Sequence, residues 1–372
     1  MELGEGLLKA AAATIIKAIK NDAPACVVVD ADCDGYTSAA ILMNYLYDLF
    51  PSWVQNKLDF YLHDEKQHGL NDCVDFMLEK GFKLILIPDA GSNDIEECKL
   101  LHDNGVDIVI LDHHLIEKEN PYAIVINNQY GSYKNKQFSG AGVVWQFCRY
   151  IDNLMNVHFA NDYLDLAALG NCADMMSLTS IETKELIREG FQRENVKNPF
   201  FEYMVQKNEF SMKSIINPTT VAFYVAPFVN AMTRSGTLEE KKITFLSMLK
   251  YKAFKMILSN KRGHKLGEEE KLVMQAIRTV TNVKARQTKR QNEGLEIIEN
   301  MIKDNNLLDH KVLLFLMEPG IIDKNIAGLI ANKMMAKYQR PSCILTRGED
   351  GYKGSARGCT LAGVPDFKAV CE

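Results

Sequence analysis

Short apolar runs separated by helix-length segments constrain this chain more than any other feature. They are Cys26–Val29, Leu58–Leu62, Leu84–Ile87, Ile108–Leu111 and Ala123–Ile126. Runs this short and uniformly apolar fit strands covered on both faces, and the spacing between them fits the crossovers that parallel strands require. The reading is an α/β fold with a parallel sheet. Three of the runs end at acids: Asp30, Asp89 and Asp112. Open α/β sheets gather ligands at the carboxyl ends of their strands. Topology alone therefore predicts that these three distant acids meet.

The rest of the chain reads as further elements. Residues from about 140 to 195 are helical, and a lysine- and arginine-rich helical segment runs from about 239 to 303. Beyond it, strands at 312–316 and 342–346 flank a helix over 324–338, giving a second, smaller α/β unit. A length of 372 residues suits two domains. No apolar run approaches the ~20 residues of a membrane span. The N-terminus is an amphipathic helix carrying acids and does not read as a signal peptide. Nine cysteines, odd in number and without a CxxC pair, argue against a disulfide framework or structural zinc. The expected location is cytoplasmic, with no membrane partner. A net charge of −5 leaves nucleic acid open as a partner, because a local basic groove matters more than the sum.

Four clusters carry candidate chemistry. The first is Asp30-Ala31-Asp32-Cys33-Asp34-Gly35, after a strand and before a helix. Acids at alternate positions in a tight turn can aim several oxygens at a cation, and Thr37 or Ser38 is expected to cap the helix that follows. A calcium EF-hand opens the same way, but Ile41 stands where its bidentate Glu belongs and a strand precedes the loop. Cys33 as a nucleophile is disfavoured, since the surrounding acids would raise its pKa. The second cluster is Pro88-Asp89-Ala90-Gly91-Ser92, and the third is Asp112-His113-His114. An imidazole there can bind metal while the neighbouring acid fixes its tautomer; a surface histidine pair is the ordinary alternative. The fourth is Gly170-Asn171-Cys172-Ala173-Asp174, where a lone acid would ordinarily be a cap or a solvated side chain. Together these hard oxygens and imidazoles suit Mn²⁺ or Mg²⁺, and two such ions form the usual clamp for phosphoryl displacement. No Walker A loop and no GxGxxG fingerprint is present.

The order DxDxDG, PDAGS, DHH, GNCADMMSL resembles motifs I to IV of the DHH phosphoesterases. Further segments resemble the RecJ branch: Phe138–Trp145, Pro227–Arg234, Pro319–Ile322 with Ala327–Ala331, and Gly354–Arg357. The resemblance covers roughly residues 24 to 367. It implies a parallel-sheet DHH catalytic domain (1–195), a helical connector with a strand-binding motif (196–303) and a smaller α/β DHH-associated domain (304–372). By position it makes Asp30, Asp32, Asp89, His113 and Asp174 metal ligands, with Asp89 as bridge. His114 would face the scissile phosphate, Asp112 would buttress the histidines, and Asp34 would support the site. Asn230, Arg234, Ser355 and Arg357 would contact the strand.

The chain departs from the family in places. Val28 stands where some relatives carry a histidine. The stretch His63–Leu70 replaces a family segment holding an arginine and GYG, with Lys66 as a candidate substitute. The chain also stops at Glu372, before any Gly-Gly-His motif, which predicts a less stable second domain.

The lysines and arginines between Lys250 and Arg290 either line a groove that tracks phosphates or form a solvated helix face. Tyr130, Tyr133, Phe223 and Tyr224 are available for base stacking or for core packing. The expected function is a Mn²⁺-dependent, two-ion exonuclease on single-stranded DNA, 5′→3′ by resemblance, with RNA as a further candidate substrate and Mg²⁺ as a substitute ion. The alternatives are a nano-RNase or cyclic-dinucleotide phosphodiesterase of the same superfamily, and an inactive DHH-derived replication-associated binding protein.

Overall fold

The apolar runs become β1 (Ala25–Val29), β2 (Leu58–Leu62), β3 (Leu84–Pro88), β4 (Asp107–Asp112) and β5 (Ile124–Asn127). All pair in parallel, in the order β2-β1-β3-β4-β5. Every residue of β1 and β3 is buried, which is why the sequence shows unbroken apolar runs there instead of alternation. Cys26, Val28, Ile85, Ile87, Ile108 and Ile110 pack on one face with Leu70, Cys73, Met77, Cys98 and Leu101. By alternation Val27, Leu84, Leu86 and Val109 point to the other face and are equally buried. Helices Cys33–Leu49, Gly140–Met155 and Leu164–Ala173 pack against one another, the first two also against the sheet.

The strand order reverses between β1 and β3. Chain leaving β1 turns one way to β2, and later chain returns on the other side as β3. Such a switch point leaves a crevice beyond the carboxyl ends of the two strands. Asp30 follows β1 and Asp89 follows β3, so both acids open onto that crevice.

In this computed structural model the described residues are 4–64, 67–131, 133–349 and 351–367. Lys66 lies outside them. The chain forms two compact units, Met1–Thr281 and Asn282–Glu372, and the long helix Leu272–Asp304 belongs to both.

Two local expectations are corrected. Helix Cys33–Leu49 is capped by Asp32, not by Thr37 or Ser38. Asp32 is extended, and its Oδ1 accepts the Gly35 N–H at 3.0 Å. Thr37 and Ser38 lie inside the helix, fully buried, with the Thr37 hydroxyl donating to the Asp34 carbonyl at 2.9 Å. The early start is possible because Gly35 has no Cβ; one would sit 2.5 Å from Asp30 Cβ. The basic segment is likewise not continuously helical. Helix Leu238–Met248 is followed by an antiparallel pair, β6 (Met256–Leu258) and β7 (Glu269–Lys271), before helix Leu272–Asp304. Gly263 and Gly267 both take φ +79° in the turn, a conformation no helix accommodates.

In the second unit β8 (Leu313–Met317) and β9 (Ser342–Gly348) are parallel, joined through helix Lys324–Tyr338, and β10 (Gly351–Arg357) pairs antiparallel with β9. Leu313, Phe315, Ile326, Ile330, Met334 and Ile344 form its core with Ile298 and Ile302 of the long helix. Among the described residues no helix is long and apolar enough to cross a membrane.

Candidate metal centre

Asp89 is the most constrained residue of the crevice. It is a non-glycine residue at φ +71°, with its N–H donated to the Leu111 carbonyl at 2.8 Å. Left-handed backbone costs roughly 1–2 kcal/mol in an L-residue, and such strain persists only where surroundings impose it. Asp89 is 1% exposed, and among the described residues its Oδ1 has no hydrogen-bond partner. That oxygen lies 3.2 Å from His113 Nε2. The same His113 nitrogen lies 3.7 Å from Asp174 Oδ2 and 3.9 Å from Asp34 Oδ2.

Among the described residues, three sets of potential ligand atoms each lie within 4.8 Å of one another: Asp30, Asp32 and Asp89; Asp34, His113 and Asp174; Asp89, His113 and His114. Asp89 and His113 each belong to two of them. Burial, followed by the charges of Asp34, Asp32 and Asp30, pushes the Asp89 carboxyl well above the usual range. Burial also raises Asp30 and Asp34, and it lifts Asp174 to about 6 with help from the Asp34 charge. Crowded, desolvated carboxylates with an unpartnered buried oxygen are what a divalent cation relieves. The donor set is hard oxygen plus imidazole, without thiolate: Cys33 is buried, and burial and the charges of Asp32 and Asp34 push its thiol up.

Around these atoms sits a supporting layer. Asp112 Oδ1 accepts the backbone N–H of His113 (2.7 Å) and of His114 (3.2 Å) and faces His114 Nδ1 at 2.8 Å, while Oδ2 accepts the Ser92 N–H at 3.1 Å. Burial pushes the Asp112 carboxyl up, but His114 and these donors outweigh it and hold it far below the usual range. The Asp112 hydrogen bond raises the half-exposed His114 imidazole to about 9. Asp34 sits on the N-terminus of helix Gly140–Met155. It accepts Ser139 Oγ (2.8 Å), the Gly140 N–H (2.7 Å) and the Ala141 N–H (3.2 Å), where the helix dipole favours an anion. Helix Leu164–Ala173 comes equally close: a Cβ on Gly170 would sit 2.2 Å from Asp34 Oδ1.

Two residues of this layer are placed in ways the sequence reading did not foresee. His68 Nδ1 lies 3.0 and 2.8 Å from the two oxygens of Asp30. Asn230, expected at the strand, has its Oδ1 on the Cys33 N–H at 3.0 Å. A histidine beside a glycine in the departing His63–Leu70 stretch was the available signal for the first; no local signal announces the second. Arg234 is half-buried in the last turn of the Asn230 helix. Ser355 and Arg357 lie apart in sequence, on β10 of the second unit, and both approach Gly328 of helix Lys324–Tyr338. Of the aromatics, Tyr133 is buried and donates to Glu182 at 2.9 Å, whereas Tyr130 and Phe223 are exposed. Several basic side chains are paired: Lys250 with Asp48, Arg278 with Glu270, Arg290 with Asp323.

Residues 24–171 match the model of the DHH family, N-terminal domain. The chain carries a DHH domain. Over 363 residues it is 33% identical to the SPbeta prophage-derived protein YorK of Bacillus subtilis (strain 168), provisionally named a single-strand DNA-specific exonuclease. That match covers 96% of this chain and 61% of YorK. It is 26% identical to the single-stranded-DNA-specific exonuclease RecJ of the same organism, over 98% of this chain and 43% of that one. The chain therefore spans less than two thirds of the length of these relatives. Its fold resembles a crystal structure of exonuclease RecJ bound to manganese, with TM-score 0.73 and 21% identity over 91% of this chain and 80% of that one. RecJ of Thermus thermophilus in complex with Mn²⁺ gives TM-score 0.69 and 22% identity, over 91% of this chain and 46% of that one. The mixed α/β architecture built on a five-stranded parallel sheet is thus the RecJ-like fold.

Proposed function

We propose that the chain is a metal-dependent phosphodiesterase that degrades single-stranded DNA from its end in the 5′→3′ direction, with Mn²⁺ as its cation and Mg²⁺ as a substitute. The observation that supports it most is the convergence of Asp30, Asp32, Asp89, His113 and Asp174, from four separate chain segments, into overlapping sets of ligand atoms. The relatives' names supply the substrate class and the resemblance supplies the polarity.

In this reading Asp30, Asp32, Asp89, His113 and Asp174 would hold two ions. Bound there, the ions supply an activated water and neutralise charge on the leaving oxygen. The chain's own residues set the stage. Asp34 fixes the start of helix Gly140–Met155 beside the ligands. Asp112 holds His114 by Nδ1, which leaves Nε2 to donate to a non-bridging phosphate oxygen. In the metal-free chain the Asp112 hydrogen bond raises that imidazole to about 9, which favours the doubly protonated ring that donation from Nε2 requires. Asn230, Arg234, Ser355 and Arg357 are proposed to hold the strand. The residues 196–303 are proposed as the connector and 304–372 as the DHH-associated domain.

The test is digestion of end-labelled single- and double-stranded DNA and RNA with Mn²⁺, Mg²⁺ or EDTA. Mononucleotides released from the 5′ end of single-stranded DNA, and none in EDTA, are expected. Hydrolysis of dinucleotides alone would favour the small-substrate phosphodiesterase reading, and binding without cleavage the inactive one.

A further inference from the structure

We propose that His68 is a positioning residue of the metal centre, holding the Asp30 carboxylate in the orientation that presents it to a cation. The inference rests on the metal-centre reading above and adds a residue to it.

Asp30 is 1% exposed, and among the described residues His68 is the only partner of its carboxylate oxygens. An ionised carboxylate only accepts, so Nδ1 is the donor and the tautomer is fixed by the contact. The two distances, 3.0 and 2.8 Å, describe one N–H shared between both oxygens. A carboxylate has about four lone-pair directions. Asp30 can therefore keep this bond on one side and offer an oxygen to an ion on the other. Without it, no other hydrogen bond among the described residues sets the rotation of this buried carboxylate.

His68 itself is tightly placed. The preceding strand β2 is the neighbour of β1, at whose end Asp30 stands, so the loop leaving β2 starts beside the crevice. Gly69 takes φ +63°, and a Cβ there would lie 1.9 Å from Asp94 Oδ2. That oxygen accepts the Leu70 N–H at 2.8 Å, and Leu70 is fully buried in the sheet's core cluster. Asn71 Nδ2 donates to the His68 carbonyl at 3.0 Å. The residues around His68 are thus pinned to the core and to helix Ile95–Asp103, whose N-cap position is Asp94. The result repeats the relation between Asp112 and His114: a buried acid and a half-exposed imidazole joined through Nδ1 at 2.8 Å. The two pairs stand at the ends of β1 and β4.

Groups that orient a metal ligand typically change affinity by ~10–100-fold when removed. The experiment measures Mn²⁺ binding by calorimetry and by electron paramagnetic resonance on the full chain, with His68→Ala, His68→Asn, His68→Gln and Asp89→Ala. Asn places its amide nitrogen where Nδ1 stands; Gln does not. His68→Ala and His68→Gln are expected to bind Mn²⁺ about 10-fold or more weakly, with an altered spectrum of the bound ion and an unchanged far-ultraviolet circular dichroism. His68→Asn is expected to recover most of the affinity. Wild-type affinity in His68→Ala, or no recovery in His68→Asn, overturns the proposal. A wild-type chain that binds no Mn²⁺, or Asp89→Ala binding as wild type, would instead overturn the metal-centre reading and this inference with it.

Discussion

Asn230 Oδ1 accepts the backbone N–H of Cys33 at 3.0 Å, across 197 positions of sequence. The bond ties helix Ala226–Ser235 to the first residue of helix Cys33–Leu49, where the loop carrying Asp30 and Asp32 ends. A strand-contacting role for Asn230 then has to use its amide nitrogen, since the oxygen is already engaged. Asn230→Ala removes both functions and is expected to lower turnover of a small phosphodiester as well as of single-stranded DNA. Asn230→Asp keeps an acceptor for Cys33 but loses the donor and adds a charge. It is expected to spare the small substrate and raise KM for the polymer several-fold. Steady-state kinetics on the two substrates separate these outcomes. Equal damage to both substrates in Asn230→Asp would confine Asn230 to supporting the loop.

The two histidines of the DHH triplet differ in what their rings touch. His113 Nε2 lies among Asp34, Asp89 and Asp174, whereas His114 has Nδ1 committed to Asp112. His113→Ala is expected to weaken Mn²⁺ binding by about 10-fold or more. His114→Ala is expected to lower kcat by roughly 10²–10³ through loss of one donor to the phosphate, with metal affinity little changed. Metal titration of both variants decides this; matched losses of affinity would make both imidazoles ligands.

The crowded acids also set a pH dependence for the metal-free protein. Asp174 rises from 3.8 to about 6 on folding, and burial raises Asp89 as well. Between these values the folded chain holds protons that the unfolded chain has released, so folding stability falls as pH rises from about 4 through about 6. Asp165 contributes with the same sign: burial lifts it to about 6 despite three backbone donors. Thermal melts in EDTA are expected to drop across this window. Asp174→Asn should flatten the slope in part, while Mn²⁺ should remove only the contribution of the site, because Asp165 lies in the separate network of Leu166, Lys197 and Asn198. A melt that rises with pH through the window would contradict the assignment.

The sheet was legible because burial on both faces writes itself as unbroken apolar runs, as in Ala25–Val29. Once the strands are parallel, Asp30, Asp89 and Asp112 must share one edge, so the heart of the site followed from topology. What could not be read depends on closeness in space that periodicity does not encode. His68 reaches Asp30 from a loop, and Asn230 reaches Cys33 from a distant helix. The cap was misplaced because Thr37 and Ser38 have the chemistry of a cap, while the close approach allowed by Gly35 moved the helix start back to Asp32. In the basic segment composition does not mark where one helix stops and the next starts; the positive-φ glycines of the turn, Gly263 and Gly267, do.

Arg357 offers the cleanest test of strand binding, because it stands in the second unit. It is an exposed residue at the end of β10, beside Ser355 and over Gly328 of helix Lys324–Tyr338. If the guanidinium neutralises a phosphate, Arg357→Ala removes one released counterion, and the slope of log affinity against log salt should shrink by roughly 0.7 for a single strand. Affinity for single-stranded DNA at low salt should fall accordingly, while hydrolysis of a small phosphodiester and Mn²⁺ affinity stay at wild-type values. Gly328→Ala would bring a methyl 2.8 Å from Arg357 Nη2 and is expected to reproduce the loss by displacing the arginine. Arg234→Ala, in the first unit, should reduce the slope by a similar amount, and the double variant by about the sum if the two contact separate phosphates. Fluorescence anisotropy across a salt series, on a labelled oligonucleotide in Ca²⁺ to prevent cleavage, reads all of these variants. An unchanged slope in Arg357→Ala would remove the second unit from strand binding and leave Arg234 and Asn230 to hold the substrate.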